Sequence, residues 1–88
     1  MKHHATPRYW SCYRRLPVDI QRLADRDYAL LCQDPRHPSL HFKKVSEELW
    51  SARVGLNYRA LAIEDGADFL WVWIGTHAEY DSLIRHRS

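Results

Sequence analysis

The sequence predicts an α+β protein. We expect an N-terminal antiparallel helix pair packed on a twisted, mainly antiparallel sheet of three to four strands, followed by a short C-terminal helix. The main observation is a change of period, because apolar residues recur at helical spacing over residues 7–33 and alternate with polar residues from residue 40 onward. Prolines and a Gly-Leu-Asn loop separate these segments. The predicted order is α-α-β-β-β, with an added edge strand near Leu40 and a closing helix.

The first predicted helix begins at Thr6-Pro7, because a hydroxyl side chain caps a helix and proline has no N–H to leave unpaired at its first position. Pro17 ends this helix and opens a second one, which runs from Val18 until prolines at positions 35 and 38 stop it. The short link makes the two helices antiparallel neighbours. The apolar residues of the first helix, at helical spacing, are Tyr9, Trp10, Tyr13 and Leu16.

The second half of the chain predicts a three-strand meander. Residues 50–54 and 58–63 alternate in polarity and flank residues 55–57, where glycine and asparagine tolerate a positive φ in a tight hairpin. Residues 69–74 are apolar on both faces, which indicates a strand that is central or covered on both sides. Residues 78–85 are predicted to form the closing helix.

Composition limits the classes of function. The 88 residues suit one domain, 1–88, and no apolar run is long enough to cross a membrane. No secretory signal is recognisable, and two cysteines are too few for a disulfide scaffold, so we expect a cytoplasmic location. Histidine and cysteine spacing predicts no metal site, and no glycine-rich phosphate loop is present, so we expect no metal and no cofactor. Residues 1–44 carry a charge of +5 and residues 45–88 a charge of −3, which permits a basic face for a polyanion.

Two arginines on neighbouring predicted strands are candidates for binding phosphate, because guanidinium groups bind it bidentately and stay charged. If residues 55–57 form a three-residue loop, Val54 pairs with Tyr58 and Arg53 lies directly opposite Arg59. Like charges in that position destabilise a sheet, so the pairing would indicate an anion between them. A two-residue loop would place them on opposite faces. The alternative role is structural contact with the helices or with the acidic turn at residues 46–48.

His77 and Tyr80 follow the last predicted strand and are candidates for proton transfer. An imidazole titrates near neutral pH, and a tyrosine hydroxyl can donate a hydrogen bond to a phosphate oxygen. Cleavage of RNA through its 2′-hydroxyl needs such groups together with cations that hold the charge of the transition state. The alternative is an exposed loop histidine and a tyrosine packed in the core.

Further side chains are candidates for contact with RNA. Alternation places Lys43 on the side of His41, and Lys44 on the other side. Both lysines are candidates for binding the RNA backbone, although a solvated surface is the simpler interpretation, and His41 is a weaker candidate base. Trp71 and Trp73 alternate with aliphatic residues, which favours core packing over base stacking.

Four stretches spread over nearly the whole chain resemble the RelE/ParE superfamily of bacterial toxins, in particular its small RelE/HigB-like members. They are residues 9–17 (Tyr-Trp-x-x-Tyr-x-x-Leu-Pro), 34–43 (Asp-Pro-x-His-Pro-Ser-Leu-His-Phe-Lys), 50–61 (Trp-Ser-x-Arg-Val-Gly-x-x-Tyr-Arg-Ala-Leu) and 73–80 (Trp-Ile-Gly-x-His-x-Glu-Tyr). The resemblance implies a helix pair on a twisted antiparallel sheet and a cognate antitoxin partner. Many members begin with a strand, whereas here we expect a helix first.

The resemblance implies one of two activities. RelE-type members cleave mRNA in the ribosomal A site, whereas ParE-type members inhibit DNA gyrase and are not nucleases. The residue set and the resemblance together favour a metal-independent mRNA endoribonuclease, and the resemblance implies that it depends on the ribosome and inhibits translation. In it Arg53 and Arg59 hold the phosphate charge, His77 is acid or base, and Tyr80 assists. The nucleases of the superfamily use differing residue sets, and this chain matches no single set completely. The alternative is a non-enzymatic toxin or degenerate homologue that binds a protein such as gyrase.

Overall fold

The computed structural model describes residues 1–87. Its strands form one sheet in the order β1-β5-β4-β3-β2, in which β1 runs parallel to β5 and the other neighbours are antiparallel. The α+β class, the helix pair, the meander and the closing helix are thereby confirmed. In chain order the elements are β1 (His3–Ala5), α1 (Pro7–Arg14), α2 (Val18–Gln33), a 3₁₀ turn (Pro38–Leu40), β2 (Lys43–Lys44), β3 (Leu49–Val54), β4 (Tyr58–Asp65), β5 (Asp68–Thr76) and α3 (His77–Arg87).

Apolar side chains are buried on both faces of the sheet. The first face, which we call the helix-pair face, is covered by α1 and α2; its buried residues include Leu31, Leu40, Ala52, Ala60, Ala62, Phe69, Trp71 and Ile74. The second face, which we call the α3 face, is partly covered by α3; its buried residues are Leu49, Leu61, Trp73 and Tyr80. The sheet is therefore the middle layer, and α3 lies against the part of the second face formed by β4 and β5.

The start of α1 follows the sequence prediction. Thr6 is the N-cap, and its hydroxyl accepts a hydrogen bond of 3.1 Å from the backbone N–H of Tyr9, while Pro7 is the first helical residue. The second helix begins at Val18, directly after Pro17, and ends before Pro35. Proline thus sets the main boundaries of the helix pair, as expected from its fixed φ and missing N–H.

A three-residue strand precedes α1, so the expectation that the chain would begin with a helix was wrong, and the sheet has five strands rather than three to four. In β1, His3 pairs with Phe69, and the backbone N–H of Thr6 continues the contact by donating to the carbonyl of Trp71 at 3.0 Å. The side chains of β1 do not alternate in polarity. Backbone pairing with a distant strand holds it in place, which local pattern cannot reveal.

His3 anchors β1 to the core through its ring. The indole N–H of Trp71 donates to its Nδ1 at 3.0 Å, and the ring centroids of Phe69 and Tyr28 lie 5.8 and 5.7 Å away. Burial, together with the nearby charged N-terminus, lowers the pKa of His3 below its ordinary value. The imidazole is therefore held neutral, with Nδ1 as acceptor and the proton on Nε2.

This arrangement predicts a pH dependence of stability. Because the folded state lowers the pKa of His3, its contribution is present above the ordinary histidine pKa of about 6.5 and is lost as the pH falls through the folded value. We expect urea unfolding to show that wild type loses more stability than His3→Gln as the pH falls from about 7 to 5, since glutamine does not titrate and keeps an acceptor for Trp71. The exposed neighbour provides the control, His4→Gln, which should keep most of the wild-type slope because His4 is the smallest of the causes that lower the pKa of His3. An unchanged slope in His3→Gln would contradict the assignment.

The predicted edge strand lies further along the chain than expected. Leu40 is buried in the 3₁₀ turn rather than in a strand, and His41 has a left-handed φ of 44°. A left-handed residue cannot continue an extended chain, so the strand starts only at Lys43. This short edge strand, with two exposed lysines, protects the sheet from pairing with other chains.

β5 contains one more residue than the segment of β4 that it pairs with. Leu61 is opposite Trp73 and Ala62 is opposite Trp71, so Val72 has no partner in β4. Such a bulge interrupts the alternation of side chains. Trp71 packs on the helix-pair face, whereas Val72 and Trp73 pack on the α3 face. Regular alternation would put both tryptophans on one face and is wrong here, although both are buried, which confirms core packing.

Candidate anion-binding site

The arginine pair has the geometry expected for a three-residue hairpin loop. Val54 is paired with Tyr58, and Arg53 lies directly opposite Arg59 in the register of β3 and β4. Directly opposed residues of antiparallel strands project from the same face. Arg59 contacts Tyr80 of α3, so this is the α3 face. The alternative with the arginines on opposite faces is therefore excluded.

Arg59 is a buried cation without an acidic partner. Its residue is only 9 % exposed, and its Nη1 donates a hydrogen bond of 3.1 Å to the hydroxyl of the fully buried Ser51. The guanidinium carbon lies 5.1 Å from the ring centroid of Tyr80. Its Nε is buried and makes no hydrogen bond, and no described carboxylate lies within 4.0 Å. Buried charges are normally paired, so this guanidinium is suited to a bound anion.

Arg53 continues the basic site toward solvent. Its Nη1 lies 3.3 Å from Nε2 of His41, at which the imidazole serves as acceptor when neutral. As with Arg59, no carboxylate among the described residues is within ion-pair distance. The left-handed backbone of His41 positions this ring beside the start of β2. The two arginines therefore project from one face at the same end of the hairpin, and the imidazole of His41 lies beside Arg53.

His77 lies at the same end of the sheet, as the first residue of α3. Its backbone N–H donates to the carbonyl of Asn57, in the loop that joins the two arginine strands, at 2.7 Å. Its Nδ1 lies 3.1 Å from the carboxylate of Asp81, and its ring centroid is 5.9 Å from that of Tyr80. The side chain is 48 % exposed. If Nδ1–H of the neutral ring donates a hydrogen bond to Asp81, the lone pair of the ring is on Nε2. In this tautomer Nε2 can act as a general base.

Tyr80 packs in the core, as the structural alternative predicted, and it also forms a wall of the site. Its residue is 8 % exposed and packs with Leu49, Leu61 and Trp73. Arg59 lies against its ring, and the ring of His77 is tilted toward it. A cation over an aromatic ring is stabilised by the ring's quadrupole. Tyr80 therefore separates the buried guanidinium from the exposed imidazole.

The two lysines of β2 project from opposite faces, as alternation predicted. Lys43 is opposite Ser51 and shares the α3 face with the arginines, whereas Lys44 is opposite Trp50 on the helix-pair face. Both are exposed. Lys43 therefore extends the basic surface of the site, and Lys44 does not.

The start of α3 is fixed by a capping box. The hydroxyl of Thr76 accepts from the backbone N–H of Glu79 at 3.1 Å, and the Glu79 carboxylate accepts from the Thr76 backbone N–H and hydroxyl at 2.9 Å each. These hydrogen bonds from Thr76 hold the pKa of Glu79 below its ordinary value. The box holds the first turn of α3, and thus His77 and Tyr80, at the end of β5.

Sequence reasoning missed two residues of this site. Ser51 is two positions before Arg53 and therefore on the same face of β3, and Asp81 is four positions after His77 and therefore beside it on a helix. The spacing of Ser51 from Arg53 on a strand, and of Asp81 from His77 on a helix, could each have identified the missed residue. Within the described residues no group of three or more His, Cys, Asp or Glu side chains could hold a metal ion, and no helix has the length and apolarity to cross a membrane.

Solved toxin structures share this fold. The YoeB/ParE toxin from Agrobacterium tumefaciens superposes with a TM-score of 0.67 at 15 % identity, covering 88 % of this chain and 99 % of that one. The RelBE2 toxin-antitoxin complex from Mycobacterium tuberculosis gives 0.65 at 20 % identity, covering 86 % and 96 %. The isolated RelE toxin of E. coli gives 0.63 at 10 % identity, covering 96 % of each chain. Identities this low establish the fold alone.

The family of this chain is identified by a match between its sequence and a family model. No curated protein matches it significantly. Residues 18–82, however, match the family model of the ParE-like toxin domain, a span that begins with α2 and extends past Tyr80 and Asp81. The chain therefore belongs to the ParE-like toxin domain family and has the fold of the RelE/ParE superfamily.

Proposed function

We propose that this protein is the toxin of a type II toxin-antitoxin pair and that it cleaves mRNA at the ribosome. The observation that carries the proposal is the buried guanidinium of Arg59, which has no acidic partner within the described residues and lies opposite a second arginine. Such a pair is unfavourable in the free protein and becomes favourable once a phosphate binds. A site that only supported the fold would be expected to pair these charges with carboxylates.

The proposed reaction divides among the residues of the site. Arg59 and Arg53 hold the scissile phosphate and its transition-state charge. His77, oriented by Asp81, removes the proton from the 2′-hydroxyl. The 2′-oxygen bonds to phosphorus, the bond from phosphorus to the 5′-oxygen breaks, and a 2′,3′-cyclic phosphate forms. The 5′-oxygen takes up a proton from an acid of the site or from water, and Tyr80 assists by donating to a phosphate oxygen. No metal or cofactor has a part in this proposal.

The proposed partners are RNA and an antitoxin. Lys43 is positioned to contact the RNA backbone on the α3 face, and Lys44 can do so only from the opposite side of the edge strand. A similar fold in Mycobacterium tuberculosis was solved as a toxin-antitoxin complex, which supports an antitoxin for this chain too. An mRNA target would place the protein in the cytoplasm.

The proposal is tested by incubating the purified protein with programmed ribosomes and mRNA and mapping the new 5′ ends by primer extension. We expect cuts in the A site that are about 100- to 10,000-fold slower with His77→Ala, the range for removal of a general acid or base. His4→Ala removes an exposed histidine of β1 and should cut like wild type. Folded wild-type protein that cuts neither ribosome-bound nor free RNA would refute the nuclease.

The second candidate is a non-enzymatic toxin or a degenerate homologue that binds a protein such as DNA gyrase. The match to a ParE-like family model favours it, as does the ring of Tyr80 covering Arg59. In that case His77→Ala should retain toxicity, and purified protein should inhibit gyrase supercoiling. Substitutions on the helix surface, rather than in the site, should then abolish toxicity.

A further inference from the structure

The outer face of α1 is a second basic surface, separate from the site. At about 100° per residue, the exposed positions of the helix and its C-cap occupy one continuous arc. Three half-buried residues of the helix turn the other way, toward the core. We call the exposed set the α1 face; it consists of Pro7, Arg8, Trp10, Ser11, Arg14 and Arg15.

The α1 face carries an excess of positive charge, and among the described residues only Arg15 of its arginines has a nearby carboxylate, that of Glu79. It contains three arginines, and no acidic residue occurs between positions 1 and 18. None of the three has a carboxylate within 4.0 Å in the described part of the chain. Solvent-facing helices that serve only solubility usually mix charges of both signs. A row of unpaired arginines complements a polyanion.

An aromatic plane lies within the same face. Trp10 is 45 % exposed, in contrast to the buried Trp71 and Trp73. Its ring makes edge-on contacts with Tyr9 and Tyr13, with centroids 5.3 Å apart in each case. These contacts hold the indole in one orientation before any partner binds. An oriented, exposed indole among arginines is suited to stacking an unpaired base.

The α1 face is continuous with the site through the end of the helix. A cleft at this end has an apolar floor that includes Leu16, Tyr58 and Ile74. Its polar lining consists of Arg15, the C-cap of α1, and of Thr76 and Glu79 from the junction of β5 with α3. His77 follows directly in the chain. A strand of RNA that passes His77 can therefore reach Arg15 and the α1 face along this cleft, where the carboxylate of Glu79 is engaged by Thr76.

We propose that the α1 face binds single-stranded RNA next to the cleavage point, with the arginines on phosphates and Trp10 stacked on a base. The proposal rests on the proposed nuclease function, since it names how the substrate of that site is held. The arginines supply affinity that does not depend on sequence, and the indole tolerates any base because every base has a stacking face.

The test measures binding separately from cleavage. A fluorescently labelled single-stranded RNA with 2′-O-methyl groups throughout cannot undergo attack by its 2′-oxygen, so its affinity can be followed by anisotropy over a series of salt concentrations. The variants are R8A/R14A and Trp10→Ala. A matched control, R22A/R36A, removes the same charge from exposed positions of α2 and of the loop that follows it.

We expect R8A/R14A to reduce the slope of log affinity against log salt by about 1.4, since each phosphate contact with a single strand contributes about 0.7. The control should retain the wild-type slope. Trp10→Ala should weaken binding on the order of tenfold, and Trp10→Phe should restore most of it. Equal shifts in the two double variants would show an effect of net charge only and would overturn the proposal. Unchanged RNA affinity in all α1 variants would overturn it in favour of a protein partner.

These outcomes differ from failure of the proposed function. Suppose that wild type does not cleave RNA but binds the methylated strand, and that the slope of log affinity against log salt depends on Arg8 and Arg14. The nuclease proposal is then refuted, and the proposal that the α1 face binds RNA is supported. If wild type cleaves RNA and the α1 variants bind and cleave it as well as wild type does, the proposal for the α1 face is refuted and the nuclease proposal is supported.

Discussion

Replacing Arg59 and Ser51 together, as Arg59→Met with Ser51→Ala, is expected to abolish RNA cleavage and to raise the stability of the protein. Activity should fall by at least about 100-fold, the usual cost of removing a group that holds transition-state charge. The free energy of unfolding should rise by about 1–4 kcal/mol, as found when well-packed apolar residues replace buried charges. The opposite signs follow because the guanidinium is desolvated without a carboxylate partner. Primer extension and urea unfolding measure the two effects.

The double substitution matters because the two side chains share a hydrogen bond. Methionine at position 59 alone would leave the buried Ser51 hydroxyl without its partner, which costs about 1–3 kcal/mol. Arg53→Met is the matched control for the guanidinium: it should lose activity without a gain in stability, because Arg53 is only partly buried. A loss of stability in the Arg59/Ser51 double variant would show that the guanidinium is a structural element and would contradict its role in binding an anion.

Gly75→Ala is expected to be the most destabilising single-methyl change on the α3 face, by about 1–3 kcal/mol, the usual range for an overpacked core. A Cβ at this position would lie 2.4 Å from the indole of Trp73 and 2.9 Å from the Glu79 carboxylate. Trp73 is buried, so its ring has little space into which to move. The shift would also disturb the capping box of α3. Thermal and urea unfolding should both detect the loss.

A double-mutant cycle identifies the cause of this effect. In a Trp73→Leu background the indole is absent, so adding Gly75→Ala should cost much less than in wild type. Gly66→Ala is an informative comparison, because nothing lies within 4 Å of its added Cβ and only its positive φ of 61° opposes the side chain. If Gly75→Ala cost as much in the Trp73→Leu background as beside the native tryptophan, steric conflict with the indole would be the wrong explanation.

Much of the fold could be predicted because local chemistry determines it. Thr6 and Pro7 set the start of α1 whatever the rest of the chain does. The sequence left two loop lengths open at residues 55–57, and the three-residue loop gives the register in which Arg53 lies opposite Arg59. Alternation between the adjacent residues Lys43 and Lys44 likewise placed the two lysines on opposite faces. These features depend on neighbours a few residues apart in the chain.

The features that could not be predicted depend on distant partners. The short strand β1 exists because β5 offers it an edge more than sixty residues away in the sequence. The burial of Arg59 depends on how α3 folds back over the sheet, which no spacing along β4 encodes. The sequence therefore named the arginines as candidates but did not reveal that one is enclosed and the other half-exposed.

The unpaired Val72 of β5 affects how this sheet can tolerate insertions and deletions. In a regular strand, loss of one residue turns every side chain beyond it to the wrong face. Here, loss of Val72 would leave Trp71 and Trp73 adjacent and still on opposite faces. Loss of Leu70 or Ile74 would turn the β5 side chains on one side of the deletion to the opposite face. Position 72 can therefore be deleted from β5 without moving the neighbouring side chains to the other face of the sheet.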